Sequence, residues 1–289
     1  MNSENDKNNF ALTNDTLVEA AVELANELGR HDIPLILGGG LSLYIRTKYL
    51  QKKRSPRYKS QIITRSTKDI DVFLTGDLII DTEKVEALRD TLTSLGYLPK
   101  TPYFQFEKEI RSQQKVSVDI LSSPTVDGDD NRDIRIKPGK VKKFHARRNN
   151  EAKGISIGLI PITNITDRQE YTNLYIVSSF NYIILKLHAF RDRLEDPGVD
   201  FGRYHAYDIF ATVVDMDESD WINAGKHFEA EREQAYIVSA SEIVKHYFSK
   251  TNDLGILRLK ENELYRRGKE EFDTYIQDFL NDLKDMFKL

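Results

Sequence analysis

The chain has 289 residues, with 42 Lys or Arg against 46 Asp or Glu, a formal net charge of −4, 39% hydrophobic and 30% charged residues, and no cysteine. Disulfides, thiol nucleophiles and cysteine-ligated zinc are therefore excluded, no global polycation drives nucleic-acid binding, and one large or two ordinary globular domains are expected. No apolar run is long enough to span a bilayer, and "MNSENDKNNF" lacks the charged and apolar regions of a secretory signal, so a cytoplasmic chain without membrane association is expected.

After a polar, frayed start, Thr13 or Asn14 can cap a helix through "TLVEAAVELANELG", which stops at Gly29. The apolar strand "IPLIL" runs directly into Gly38, Gly39 and Gly40, and "LSLYIRTKYL" has the character of a helix. Residues 46–68 then hold nine Lys or Arg and no acid, a local basic loop in an acidic protein. The next run, "KDIDVFL", is rich in β-branched and aromatic residues and closes at Gly76, which favours a strand. In a helix Asp69 and Asp71 would stand about 200° apart; in a strand both point the same way, with Cβ atoms about 6–7 Å apart. Two such anions repel unless a cation lies between them, and a hard divalent metal with oxygen ligands answers that need.

"DTEKVEALRDTLTSLGY" is a further amphipathic helix, and "YFQFEKEI" and "KVSVDIL" are two alternating runs suited to a hairpin. The second run puts Asp119 on the face opposite Val116, Val118 and Ile120, a third strand carboxylate available to the same site. "DGDDNRD" from Asp127 has calcium-loop spacing, but Arg132 and Pro138 occupy positions that need Gly and Glu, so it is a polar loop. A second acid-free stretch, 134–150, carries seven Lys or Arg. Residues 155–162 and 173–177 have the character of two more strands.

From Ser178 the pattern is helical to the end. Lys186 lies inside "FNYIILKLHAF", apolar on nearly every side, where a charge is costly unless it faces a cleft. His188 and His205 are expected to be structural, and Tyr204 and Asp208, four apart, to share a helix face.

The combination of strand, glycines and helix, then Asp-x-Asp on one strand and a single Asp on a later one, resembles the nucleotidyltransferases of the DNA polymerase β superfamily. "LILGGGLSLYIR", "RSTKDIDVFL", "VSVDIL", "LKLHAFRDR" and "RYHAYDIF" are most similar to the AbiEii-type abortive-infection and toxin–antitoxin enzymes, over residues 35 to 210. The resemblance implies an α+β fold: a nucleotidyltransferase-like mixed sheet with flanking helices at 1–177, then a helical C-terminal domain at 178–289 contributing to the nucleotide cleft. It implies that Asp69, Asp71 and Asp119 bind two Mg²⁺ ions, with Mn²⁺ as an alternative, and that Asp119 helps deprotonate an acceptor hydroxyl. Gly38, Gly39, Gly40, Ser42, Arg65, Lys186 and Arg193 would contact the phosphates of an NTP, and Asp208 would hold Lys186 or a base. Two departures stand out: the basic loop lengthens the usual spacing before Asp69, and Gly40 stands where Ser or Thr is common.

The function so implied is transfer of a nucleotide from an NTP to a macromolecular acceptor, RNA such as tRNA or a protein, by the toxin of a toxin–antitoxin or phage-defence pair with a cognate antitoxin. The basic stretches 46–68 and 134–150 favour RNA. The alternatives are a small-molecule nucleotidyltransferase, which would need an acidic acceptor pocket, and a catalytically silent nucleotide-binding module.

Overall fold

The computed structural model describes residues 12–50, 55–58, 62–111, 114–124, 135–163 and 173–289. The expected frayed start, the calcium-like loop and Lys52, Lys53, Arg54 and Lys59 of the basic loop lie outside the described residues. Helix α1 (Asn14–Gly29) begins where the Thr16 amide donates to the Thr13 hydroxyl, and it buries Leu17, Ala21, Leu24 and Leu28 on one side. It is followed by β1 (Leu35–Leu37), α2 (Gly39–Ile45), β2 (Asp69–Leu74), α3 (Gly76–Ile80), α4 (Thr82–Ser94), β3 (Leu98–Lys100), β4 (Gln105–Arg111) and β5 (Gln114–Ser122). Four short strands follow: β6 (Arg135–Ile136), β7 (Ala146–Arg148), β8 (Ile160–Pro161) and β9 (Leu174–Ile176). The remainder is helical: α5 (Ser179–Asp192), α6 (Arg203–Asp215), α7 (Glu218–Glu231), α8 (Ala235–Tyr247), α9 (Leu254–Glu261), α10 (Glu263–Arg267) and α11 (Lys269–Met286).

The fold is α+β, a mixed sheet with flanking helices followed by a helical C-terminal region. The strands run β3-β4-β5-β2-β1-β9-β8, with β7 beside β5 and β6 beside β7. β2 is antiparallel to β1 and parallel to β5, and β1 is parallel to β9. Ile70, Val72 and Leu74 join α1 and α4 in one apolar core, while Phe73 and Ile36, on the other face, join α5, α6 and α11 in a second. The face of β2 that carries the aspartates is therefore the face covered by the C-terminal helices.

Two local expectations need correction. The strand expected over residues 155–162 is confined to Ile160–Pro161, because buried Asn181 donates to the carbonyls of Gly154 and Ile157 and holds the preceding segment as turns. The helix after the glycines ends as a regular α-helix at Ile45 and continues through Arg46–Leu50 as a π-helix, the Arg46 side chain turning inward to Asp215 and Asp220.

Most of the described basic loop is a strap, not a solvated field. Arg46 pairs with Asp215 at 3.2 Å and Asp220 at 2.5 Å, Lys48 with Asp15 at 2.5 Å, Arg57 with Asp282, and Arg65 with Asp208 at 3.5 Å. Four of the five described cations between positions 46 and 68 thus meet acids of their own chain, Arg46 buried, Arg65 partly buried, and Lys48 and Arg57 still exposed. The strap is also tied by Tyr58, whose hydroxyl donates to Asp282 Oδ2 at 2.5 Å, and by a bridge between Pro56 and Asp217. Tyr58→Phe deletes a hydrogen bond to a carboxylate and is expected to cost about 1–2 kcal/mol in urea unfolding. An unchanged midpoint would show that the strap does not depend on this bond.

Candidate active site

Asp69 and Asp71 take the first and third positions of β2, either side of buried Ile70. β5 runs alongside in the parallel register Asp71↔Asp119, so Asp119 stands next to Asp71 on the same face. The Thr67 hydroxyl donates to Asp69 Oδ1 at 3.0 Å. Gln105, opposite Asp119 in the β4–β5 ladder, donates from Nε2 to Asp119 Oδ1 at 2.8 Å. Burial, with the negative charges of Asp69 and Asp119 added, pushes Asp71 up to about 6 against the pull of Lys186 and Arg65. Burial and Asp69 also raise Asp119, with Gln105 and Arg147 opposing.

The glycine turn is pressed against this row. The Gly38 amide donates to the Asp71 carbonyl at 2.9 Å. Gly39 has φ +59°, and a Cβ there would fall 1.7 Å from Asp71 Oδ2, so a side chain is excluded both by conformation and by the carboxylate. A Cβ on Gly40 would lie 3.1 Å from Thr67 and 3.2 Å from the Arg65 guanidinium. The strap therefore fills the space that a Ser or Thr at position 40 would use. Ser42 is buried, and its hydroxyl donates to the Gly39 carbonyl at 2.9 Å, a bond within its own helix.

Helices α5 and α6 form the opposite wall. Lys186 Nζ lies 2.7 Å from Asp208 Oδ2, both side chains are buried, and the ammonium sits 5.0 Å from the centre of the Tyr182 ring. Arg65 reaches the same Asp208 oxygen from the strap. Burial pushes the Asp208 carboxyl up, but the Lys186 and Arg65 cations outweigh it and hold the group below its ordinary value. One carboxylate thus faces two cations, and both lower the pKa of Asp71, which places a surplus of positive charge within electrostatic reach of the aspartate row.

Arg193 caps α5 and donates to His205 Nε2 at 2.5 Å; burial and then Lys186 draw His205 well below its ordinary value, leaving it a neutral acceptor. His188 lies 3.1 Å from the Tyr236 carbonyl and joins α5 to α8, a structural role. Tyr204 and Asp208 differ in burial but share Arg65: Asp208 is fully buried and pairs with it at 3.5 Å, while the exposed Tyr204 ring meets it at 5.7 Å.

Sequence reasoning missed Tyr182, Thr67 and Gln105. Tyr182 lies one helical turn before Lys186, a spacing that could have found it. Gln105 depends on the hairpin register, which alternation leaves open by two residues.

Among the described residues no group of three Asp, Glu or His side chains converges tightly enough to hold a metal ion as the side chains stand. The donor chemistry of the row still fits a hard divalent cation: oxygen ligands only, carried on adjacent strands, with Asp69 and Asp119 adding to burial in raising the pKa of Asp71. Among the described residues no helix is long and apolar enough to cross a membrane.

No family model matches the chain, and neither does any curated protein. Among solved structures the chain is similar to the solution structure of the antibiotic-resistance factor ANT(2'')-Ia, with 13% identity and a TM-score of 0.41 over 81% of this chain and 100% of that one.

Proposed function

We propose that the protein is a divalent-cation-dependent nucleotidyltransferase that moves a nucleoside monophosphate from an NTP to an RNA hydroxyl, the chemistry through which the toxin of a defence or toxin–antitoxin pair would act. The observation that carries this reading is the row Asp69, Asp71 and Asp119 set against the buried Lys186–Asp208 pair and the partly exposed Arg65, in which two cations share one carboxylate. Asp69, Asp71 and Asp119 would hold the cation, Mg²⁺ in our reading, which when bound neutralises triphosphate charge and favours the ionised acceptor. Lys186 and Arg65 would bind the phosphates with their surplus charge, and the Gly38–Gly40 turn lets backbone approach them without a Cβ. The acceptor oxygen bonds to the α-phosphorus, the bond to the bridging oxygen of pyrophosphate breaks, and Asp119, whose raised pKa suits a base, takes the proton.

An RNA acceptor is supported by the surface beyond Asp119. Arg147 pairs with Leu121 on β5, two residues along the same face from Asp119, and is exposed. Such a surface attracts an anionic acceptor and repels a polycationic one.

The test is incubation with each α-³²P-NTP, Mg²⁺ and total cellular RNA, beside Asp69→Asn. Label should enter RNA with wild type and stay at background with the variant. Label appearing in protein or in a small molecule would replace the RNA acceptor, and no transfer to any acceptor despite metal-dependent NTP binding would leave a silent module.

A further inference from the structure

A cavity of about 550 Å³ opens from the Asp69 end of the carboxylate row, between the strap and helices α6 and α10. Asp69 lines it, and Asp71 and Asp119 do not, so it lies on the side of the row remote from the base assigned above and from the exposed Arg147. Its volume is in the range of small-ligand sites.

Its wall is unusual for this molecule. Among the described residues, Tyr204 is the one Phe, Tyr or Trp that is exposed, at 46%, and its ring faces this cavity. Every other described Phe, Tyr or Trp ring is at least partly buried. Tyr204 is not loose: the Arg65 guanidinium lies 5.7 Å from its ring centre, and Arg65 is held in turn by Asp208 and lies against Gly40. Ile63 and Leu264 add apolar surface, and Thr64 and Ser66 add hydroxyls that can donate or accept. Lys68, Asp69 and the Glu263–Arg267 pair make the rest of the wall charged. A half-exposed aromatic ring with Arg65 over it, two apolar flanks, hydroxyls and charged groups of both signs is a surface for a flat heteroaromatic ring, packed against Tyr204 and hydrogen-bonded at its edge. Arg65 joins this surface to the glycine turn, so a ring seated here would be continuous with phosphates placed over Gly38–Gly40.

We propose that this cavity is the seat of the nucleobase of the donor NTP, with Tyr204 as its stacking platform; the assignment rests on the nucleotidyltransferase reading above. The base is thus held between the strap, Tyr204 and α10, of which α10 lies outside the expected motifs, and Thr64 and Ser66 are placed to discriminate among bases.

The experiment is calorimetric binding of ATP, GTP, CTP, UTP and inorganic tripolyphosphate, each with Mg²⁺, to the full-length wild type, Tyr204→Ala and Tyr204→Phe. Tyr204→Ala should weaken the preferred NTP by about tenfold, the scale of one base–aromatic stack, while tripolyphosphate changes less than twofold and Tyr204→Phe retains NTP affinity. Equal loss for NTP and tripolyphosphate, or unchanged NTP affinity in Tyr204→Ala, would overturn the base pocket and leave the nucleotidyltransferase reading standing. Absence of NTP binding by wild type would overturn both. Because Tyr204 is exposed, the alanine variant is expected to keep the wild-type melting temperature, which separates lost stacking from lost folding.

Discussion

Asp71→Asn is expected to abolish nucleotidyl transfer and, in cation-free buffer at pH 7.5, to make the protein more stable than wild type. The two effects have one origin. The Asp71 carboxyl is pushed from 3.8 to about 6 by burial and by the neighbouring aspartates. A carboxyl whose folded pKa is raised binds its proton more tightly in the folded state, so stability is full below pH about 4, falls as pH rises through 6, and stays low above it. Asparagine carries no charge and avoids that loss, a gain of about 1–3 kcal/mol at neutral pH that disappears below pH about 4. A divalent cation in the row would favour the carboxylate and reverse the ranking, because wild type gains from the ligand and the variant does not. Activity should fall by about a thousandfold or more, the scale on which positioned charge acts in transition-state stabilisation. Thermal melts of both proteins from pH 4 to 8, with and without Mg²⁺, test this directly. A variant less stable than wild type at pH 7.5 without cation would show that Asp71 is held by its cations and does not await one.

Asp208→Asn is expected to destabilise the protein by about 3–5 kcal/mol, a large share of the total stability of an ordinary domain. The carboxylate is fully buried and is shared by Lys186 and Arg65, so its removal leaves the buried Lys186 and the partly exposed Arg65 against a neutral amide. Lys186→Met should cost clearly less, because Asp208 keeps Arg65 and the methionine stem fills the space beside Tyr182. The combination Lys186→Met with Asp208→Asn should cost less than the sum of the two, since the ammonium that the carboxylate had compensated is already gone. The pH dependence runs opposite to that of Asp71. With its folded pKa held below 3.8, Asp208 contributes fully above pH about 4, and the contribution is lost as pH falls below that. Urea unfolding of the two single variants and the double variant at pH 7 measures the coupling; equal losses in the two single variants would mean that Arg65 does not depend on Asp208.

Local sequence pattern was informative wherever the physical signal is itself local. Period-two alternation is enough to put Asp69 and Asp71 on one side of β2, and the 3.6-residue period is enough to read α1, α4 and the helical character after Ser178. The glycine triplet was visible as a turn between strand and helix, and the cost of a charge inside "FNYIILKLHAF" marked Lys186. Where the local pattern misled, a distant partner was responsible. Residues 155–159 have strand character, yet Asn181, from a helix further along the chain, satisfies the backbone carbonyls of that segment and keeps it in turns.

By itself the sequence determined the absence of thiol chemistry, the shared direction of the paired aspartates and the change from mixed to helical pattern near Ser178, because composition and backbone periodicity need no knowledge of the chain's path. Only the tertiary structure decided that β5 lies parallel to β2 with Asp119 beside Asp71, that Arg46, Arg57 and Arg65 pair with acids of the C-terminal helices, and that Tyr204 alone among the described Phe, Tyr and Trp rings is exposed, at the cavity that Asp69 lines. A charge is identified by its position in the chain, but its partner is set by which segments pack together, and that packing follows from burying both faces of one sheet at once.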